Sequence, residues 1–284
     1  MNNINIPKKL NIKTIENSDG TVVPFIYSNL LNRYNDKIIH GYATRLGGVS
    51  RGYLSSMNFG VERGDTEENV AENHRRFAQA LGYDEKRLIF SKQYHTDHVK
   101  NCTEADAGIG FSKENPILDT DGYITDTKNL PLMVFYADCV PVLFYAPDVN
   151  AVAAVHSGWK GTVGKIGPKT VQKFVNEYKA DKSKLICCIG PSICKDCYEI
   201  GREVAERFYD IAGKDEEILS YDGNDKFHVS LQRAIRKTLI EEGMLPENIE
   251  ISNACTSCNH EILFSHRKSN GLRGKLGAVI MIRE

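Results

Sequence analysis

The sequence predicts an α+β fold, with mixed β-sheets enclosed between helical layers. Three observations point there. Several strand-like runs are almost wholly apolar, the pattern of strands covered on both faces. These runs cluster in the middle of the chain, and helical segments do not alternate strictly with them, which argues against a doubly wound nucleotide fold. No GxGxxG or GxxxxGKS/T motif occurs.

The elements follow in order. TVVPFIY (21–27) and KIIHGYAT (37–44) read as strands, and RLGGVSRGY (45–53) as a turn-rich segment. A helix follows in DTEENVAENHRRFAQALG, with Asp65 three residues before Glu68 as a capping box and Gly82 at its end. RLIFSKQ (87–93) reads as a strand and GIGFSKENP (108–116) as a loop. LPLMVFYA (130–137), PVLFYA (141–146) and AVAAVH (151–156) are the central strands. KTVQKFVNEYKA sets Val171, Phe174, Val175 and Tyr178 on one helical face. KLICCIG (184–190) returns to strand. EIGREVAERFYDIAG aligns Val204, Phe208 and Ile211 as one helix, and SYDGND (220–225) turns. SLQRAIRKTLIEEG aligns Leu231, Ile235, Thr238 and Leu239 and stops at Gly243. IEISNAC (249–255) and GAVIMIR (277–283) complete the strands. NSDG (17–20) and the other turn-rich places are too short for a domain boundary, so 1–284 reads as a single domain.

A chain of 284 residues buries roughly three quarters of its extended surface, enough for a large core. Apolar residues at 41% and charged residues at 26% suit a soluble globular protein. A net charge of −1 gives no global attraction to nucleic acid or anionic membrane, so neither is expected as a partner. The start, MNNINIPKKLNIKTIENSDG, lacks a signal peptide's apolar core, and no window approaches the roughly 18 apolar residues of a membrane span. A cytoplasmic location is expected. The eight cysteines are then thiols or metal ligands rather than a disulfide framework.

The chemistry must come from histidines and cysteines, since no GxSxG elbow is present. Of eight histidines, His74 sits in a polar helix and reads as solvated, as does His98. His95 (FSKQYHTDH), Cys139 (VFYADCVPV) and His156 (AVAAVHSGW) each stand at or just past the end of an apolar strand, where active groups gather in layered folds. Two imidazoles and a thiolate suit zinc and leave a fourth position open, the catalytic pattern. A metal-free Cys139–His nucleophile pair is an equal alternative from these residues alone. The pairs Cys194/Cys197 and Cys255/Cys258 are CxxC motifs, but the 57 residues between Cys197 and Cys255 exceed a zinc-ribbon gap, and they read as thiols. In AVAAVHSGWKGTVGKIG, Gly158 and Gly161 read as turn glycines and Trp159 as a packing anchor for His156. Arg45 in TRLGGVS, Asn58 in SMNFG, and Arg267 and Arg273 in FSHRKSNGLRG surround these positions, and arginine forks bind phosphate.

These segments resemble the laccase-domain, or YfiH-like, family, first labelled multicopper polyphenol oxidoreductases and now regarded as purine nucleoside phosphorylases. The match runs from about 20 to 283: TRLGGVS with SMNFG, GDTEENVAENHRRF, KQYHTDHV, TDGYIT, YADCVPVLFY, AAVHSGWKGT, IGPSI with CYEIG, CTSC, and LFSHRKSNGLRGKLGAVI. The resemblance implies a four-layer α-β-β-α sandwich and a zinc site of His95, Cys139 and His156. It implies phosphorolysis of adenosine, inosine, guanosine and S-methyl-5'-thioadenosine, and deamination of adenosine. Purine nucleosides and phosphate would then be the partners, with the chain a monomer or homodimer. Arg45, Asn58 and Arg267 match motif positions, and together with Lys160 they are the candidates for substrate and phosphate.

Several positions depart from the family pattern. Lys160 stands where arginine is commoner, which keeps the charge but loses the fork. Thr96-Asp97 replaces a glycine-containing turn, PSICKDCYEIG lacks the adjacent cysteine pair, and Lys268 replaces a second arginine. For deamination, Asp138 and Asp121 are candidate proton carriers, with capping or turn roles the plainer reading of both. Copper in place of zinc, a laccase-like polyphenol oxidase, is the older reading; no HxH pair supports it. A non-catalytic zinc-holding module is the remaining alternative.

Overall fold

A computed structural model describes residues 10–114, 117 and 119–284. The end of the 108–116 loop therefore lies outside the described residues. The strands are β1 (Ile12–Glu16), β2 (Val22–Ile26), β3 (Ile38–Ala43), β4 (Val99–Asn101), β5 (Gly122–Thr125), β6 (Leu132–Tyr136), β7 (Val140–Ala146), β8 (Ala151–Ser157), β9 (Ile186–Ile189), β10 (Glu199–Gly201), β11 (Leu219–Gly223), β12 (Lys226–Val229), β13 (Ile249–Ile251) and β14 (Leu276–Ile282). The helices are α1 (Asn29–Asn32), α2 (Glu67–Leu81), α3 (Trp159–Val163), α4 (Ile166–Tyr178), α5 (Arg202–Glu206), α6 (Tyr209–Ala212) and α7 (Leu231–Glu242).

Two large sheets stack face to face. One has the order β1-β2-β3-β14-β6, the other β13-β9-β7-β8-β5-β4, and β10-β12-β11 form a small third sheet. The six-stranded sheet mixes directions: β13 runs parallel to β9 and β4 to β5, while its other pairs are antiparallel. Alternation along each strand sorts side chains between layers. Leu132, Val134 and Ala278 face Leu143, Tyr145 and Ala154 in the core between the sheets. Met133, Phe135 and Val279 point the other way, against Phe77 and Leu81 of α2. Val142, Phe144 and Val155 pack against Phe174 of α4 and Ile235 and Leu239 of α7. The result is the α-β-β-α order expected from the resemblance.

Local chemistry sets the helix limits. α2 is capped by Thr66, whose Oγ1 accepts from Asn69 N at 3.2 Å, not by Asp65. Asp65 turns instead to Ser50 Oγ (2.5 Å), Asn58 Nδ2 (2.8 Å) and Asn69 Nδ2 (2.9 Å). Gly82 ends α2 and Gly243 ends α7, each left-handed, at φ 84° and 110°. Three expectations change, the first in SYDGND (220–225), read as a turn, where residues 220–223 belong to β11. Glu199–Gly201 pair with β12, so 199–213 becomes a short strand followed by two short helices. Residues 87–93 form only a bridge at Ile89. Beyond it, the Gln93 side chain takes the place of a strand backbone: its Nε2 donates to Phe135 O (2.8 Å) and its Oε1 accepts from Phe135 N (2.6 Å).

Candidate active site

One end of the six-stranded sheet collects the reactive groups. Pro141 of β7 pairs with His156 of β8, so Cys139 emerges just before β7 beside the end of β8. Gly122 of β5 pairs with Val155, which brings Asp121 alongside His156; His156 N donates to Asp121 O at 2.7 Å. His95 reaches the same place from a loop rather than from a strand end, in a left-handed conformation at φ 62°. The ligand atoms of His95, Cys139 and His156 all lie within 4.8 Å of one another. His95 Nε2 is 4.0 Å from Cys139 Sγ, and the two imidazoles meet edge to face at 5.0 Å.

Asp121, fully buried, holds both histidines. Its Oδ1 takes His156 Nδ1 at 2.7 Å, and its Oδ2 accepts from Tyr94 N (2.9 Å) and Thr96 N (2.8 Å), the residues flanking His95. This fixes the tautomer of His156 and leaves Nε2 for a ligand. Asp121 is thus a positioning residue. Asp97, one of the departures from the family pattern, pairs with Lys169 of α4 and so ties the same loop to a helix. Gly158 is not a turn glycine: a Cβ there would stand 3.0 Å from Cys139 Sγ and 3.1 Å from His95 Cδ2. Its role is close approach.

Charges in the cluster are interdependent. Burial would push the Cys139 thiol up, but the imidazoles, His156 foremost, bring it down to about 6. Burial works against a charged His156, yet the Cys139 sulfur and Asp121 raise it to about 9. Burial also opposes ionisation of Asp121, and the His156 bond with the Thr96 and Tyr94 amides outweighs it, leaving the carboxyl below its ordinary value. The sulfur is therefore predisposed to the thiolate, the form that ligates metals.

Cys139, His95 and His156 line a cavity of about 1020 Å³. A separate cavity of about 560 Å³, lined by Tyr83, Arg87 and Asn129, holds none of them. Phe59, Phe90, Phe111 and Phe135 form the aromatic wall of the larger cavity, with His74 among them. His74 is thus not solvated. It is 1% exposed, stacks on Phe90 at 5.4 Å, and neither ring nitrogen has a hydrogen-bond partner among the described residues. Arg63, Arg273 and Lys275 supply positive charge to the same cavity. Lys275 pairs with Glu62, whereas the Nε atoms of Arg63 and Arg273 are buried without a partner among the described residues.

The four residues singled out beside the cluster stand elsewhere, and none lines this cavity. Arg45 donates from Nε to Ser55 O (2.7 Å) and from Nη1 to His260 O (3.0 Å), its guanidinium over Phe264. Asn58 is buried; it donates to Asp65 Oδ2 and accepts from Lys275 N at 2.9 Å. Arg267 donates to Cys197 O and Glu199 O. Lys160 is exposed, 5.6 Å over the Trp159 ring. Asp138 is likewise occupied: it accepts from Thr256 Oγ1 (2.6 Å) and Arg267 N (2.7 Å). Sequence reasoning missed Arg63, which lies in no recognisable pattern, and named Arg273 among the arginines able to bind an anion without carrying it into the phosphate candidates.

The architecture and the cluster define a class: an α-β-β-α protein with a His/Cys/His triad opening on a large aromatic cavity. The family model described as multi-copper polyphenol oxidoreductase laccase matches residues 39–283, and the chain belongs to that family. Purine nucleoside phosphorylase YlmD of Bacillus subtilis (strain 168) is 30% identical over 254 residues, 89% of this chain and 91% of that protein. Adenosine deaminase RL5, from an unknown prokaryotic organism, is 29% identical over 233 residues, 81% of this chain and 88% of that protein. The crystal structure of the Bacillus licheniformis hypothetical protein YfiH is similar at a TM-score of 0.85 and 27% identity, over 95% of this chain and 99% of that one.

Proposed function

We propose that this chain is a zinc-dependent purine nucleoside phosphorylase acting on adenosine, inosine, guanosine and S-methyl-5'-thioadenosine, with adenosine deaminase activity at the same site. The observation that carries the reading is the triad at the aromatic, cation-bearing cavity. The names of the relatives support the two activities. The donor set fits zinc: two imidazoles, one of them backed by a carboxylate, and one thiol biased toward its anion. His95, Cys139 and His156 would hold the ion, which supplies Lewis acidity to a substrate atom when bound.

The rest falls to the chain's own groups. Phe90, Phe111 and Phe135 offer flat apolar faces to a purine, with the neutral ring of His74 beside them. Arg63 and Arg273 are the phosphate candidates in place of Arg45, Asn58, Lys160 and Arg267, because their buried Nε donors lack partners among the described residues and an anion would supply them. In phosphorolysis a phosphate oxygen bonds to the anomeric carbon while the glycosidic C–N bond breaks. The electron pair leaves with the purine, which takes up a proton. In deamination water adds at the amino-bearing carbon and ammonia departs. No helix of the described residues is long and apolar enough to cross a membrane, which is compatible with the cytoplasmic location proposed.

Copper-dependent phenol oxidation is the second reading, favoured by the family's description and by a donor set that copper also accepts. Metal quantification on the purified chain, paired with release of free base from each nucleoside with and without phosphate, separates the two. We expect zinc, phosphate-dependent release, and a loss of more than about 100-fold in His156→Ala, beyond the range typical of a supporting residue. Copper with oxygen uptake on a phenol, or base release untouched by His156→Ala, would overturn the proposal.

A further inference from the structure

The two CxxC motifs, far apart in sequence, meet in space. Ser192 N donates to Ala254 O (3.0 Å) and Thr256 N to Ser192 O (3.1 Å), a parallel bridge that sets Cys194–Cys197 opposite Cys255–Cys258. The four sulfurs all lie within 4.8 Å of one another. Cys197 Sγ and Cys258 Sγ are 3.6 Å apart. A zinc ion with four thiolates at about 2.3 Å requires sulfur–sulfur edges of about 3.8 Å. The 3.6 Å contact and the 4.8 Å bound fit such a tetrahedron, and the contact is well beyond a disulfide bond of about 2.05 Å.

Backbone donors already serve the cluster as they serve thiolates. Cys194 N points at Cys255 Sγ (3.3 Å) and Cys258 N at the same sulfur (3.4 Å). We infer that Cys194, Cys197, Cys255 and Cys258 form a second metal site, a closed tetrathiolate that binds zinc and locks two loops together. It shares no residue with the His/Cys/His triad. Four protein ligands leave no open position, so its role is structural. What it locks is specific. Ile193 N donates to Asp138 O (3.1 Å) and Thr256 Oγ1 to Asp138 Oδ1, and Asp138 adjoins Cys139. Arg267 donates to Cys197 O from the far side. The long intervening sequence is no obstacle, because the parallel β9–β13 pairing brings the two loops together.

The test isolates the second site by emptying the first. The full chain carrying His95→Ala and His156→Ala, purified and supplied with zinc, should hold about one ion per chain, against about two in the parent. X-ray absorption should show four sulfurs at about 2.3 Å. Adding Cys194→Ser and Cys197→Ser should lose that ion. Should those variants fail to fold, iodoacetamide labelling of the parent chain decides. The four thiols should be protected in zinc and labelled after chelation, as read by peptide mass. A double-histidine variant that binds no zinc, an ion with nitrogen or oxygen ligands, iron in place of zinc, or the four cysteines recovered as two disulfides would each overturn the inference. So would labelling that zinc does not change.

Discussion

Asp121 shows how one side chain can organise a site without touching substrate. Its two oxygens face two different clients, His156 on one side and the backbone around His95 on the other, and every group facing it is a donor. Asp121→Asn preserves size but turns an NH2 toward one set of donors. We expect a 10- to 100-fold (roughly) weaker metal affinity, as for other carboxylates behind a histidine ligand, measured by competition with a chelator. Affinity within about twofold of the parent would show that the carboxylate is incidental. The residue scale is also where sequence was most and least informative. Cys139 and His156 were legible because apolar strands deliver them. Arg63 was not, since nothing in VERGD distinguishes a cavity cation from a solvated one. His74 was misread from the polarity of its neighbours. Its spacing told the truth: Val70, His74, Phe77, Ala78 and Leu81 are buried along one face of α2.

At the scale of elements, the central strands and the mixed sheets between helical layers followed from almost wholly apolar runs, whereas the four-layer order came from the family resemblance. What escaped was the distinction between a strand and a segment that imitates one. Residues 87–93 carry the composition of a strand, but only Ile89 bridges to its neighbours. Gln93 then completes the edge of β6 with its side chain, which frees the backbone to climb toward His95. The short β10, β11 and β12 escaped for the opposite reason, because partly exposed strands lack a long apolar run. Replacing Gln93 by Leu keeps the bulk and strips both bonds from Phe135 N and O. The chain should lose about 1–3 kcal/mol, the cost of leaving such groups unpaired, read as a lower denaturation midpoint in urea. A loss under about 0.5 kcal/mol would mean that water or another group satisfies the edge equally well.

For the molecule as a whole, two of the three buried histidines, His40 and His74, tie stability to acid by staying neutral in the fold. His40 lies in β3 and accepts from Ser28 N at Nε2 (3.0 Å), so it must be neutral there. Burial is the main cause that holds it down to about 4. Burial likewise holds His74 down to about 3, opposed by the Phe59 backbone. In the unfolded chain both titrate near their ordinary value of about 6.5. Above that pH neither state is protonated, and their effect on stability is flat. Below it the unfolded chain binds protons that the folded chain refuses, so stability present above about 6.5 is lost as the pH falls. The slope is at most about 1.4 kcal/mol per pH unit for each histidine, persisting to about pH 4 for His40 and about pH 3 for His74. His74→Leu should therefore flatten the curve by one histidine's share while leaving the His40 share in place. The readout is the difference between variant and parent, since every other titrating group cancels from it. Unfolding free energies from urea titrations between about pH 7 and about pH 4.5 measure it. A difference that stays constant across that window would show that the folded chain protonates His74 as readily as the unfolded chain does, and with it that the aromatic wall of the cavity admits a charge.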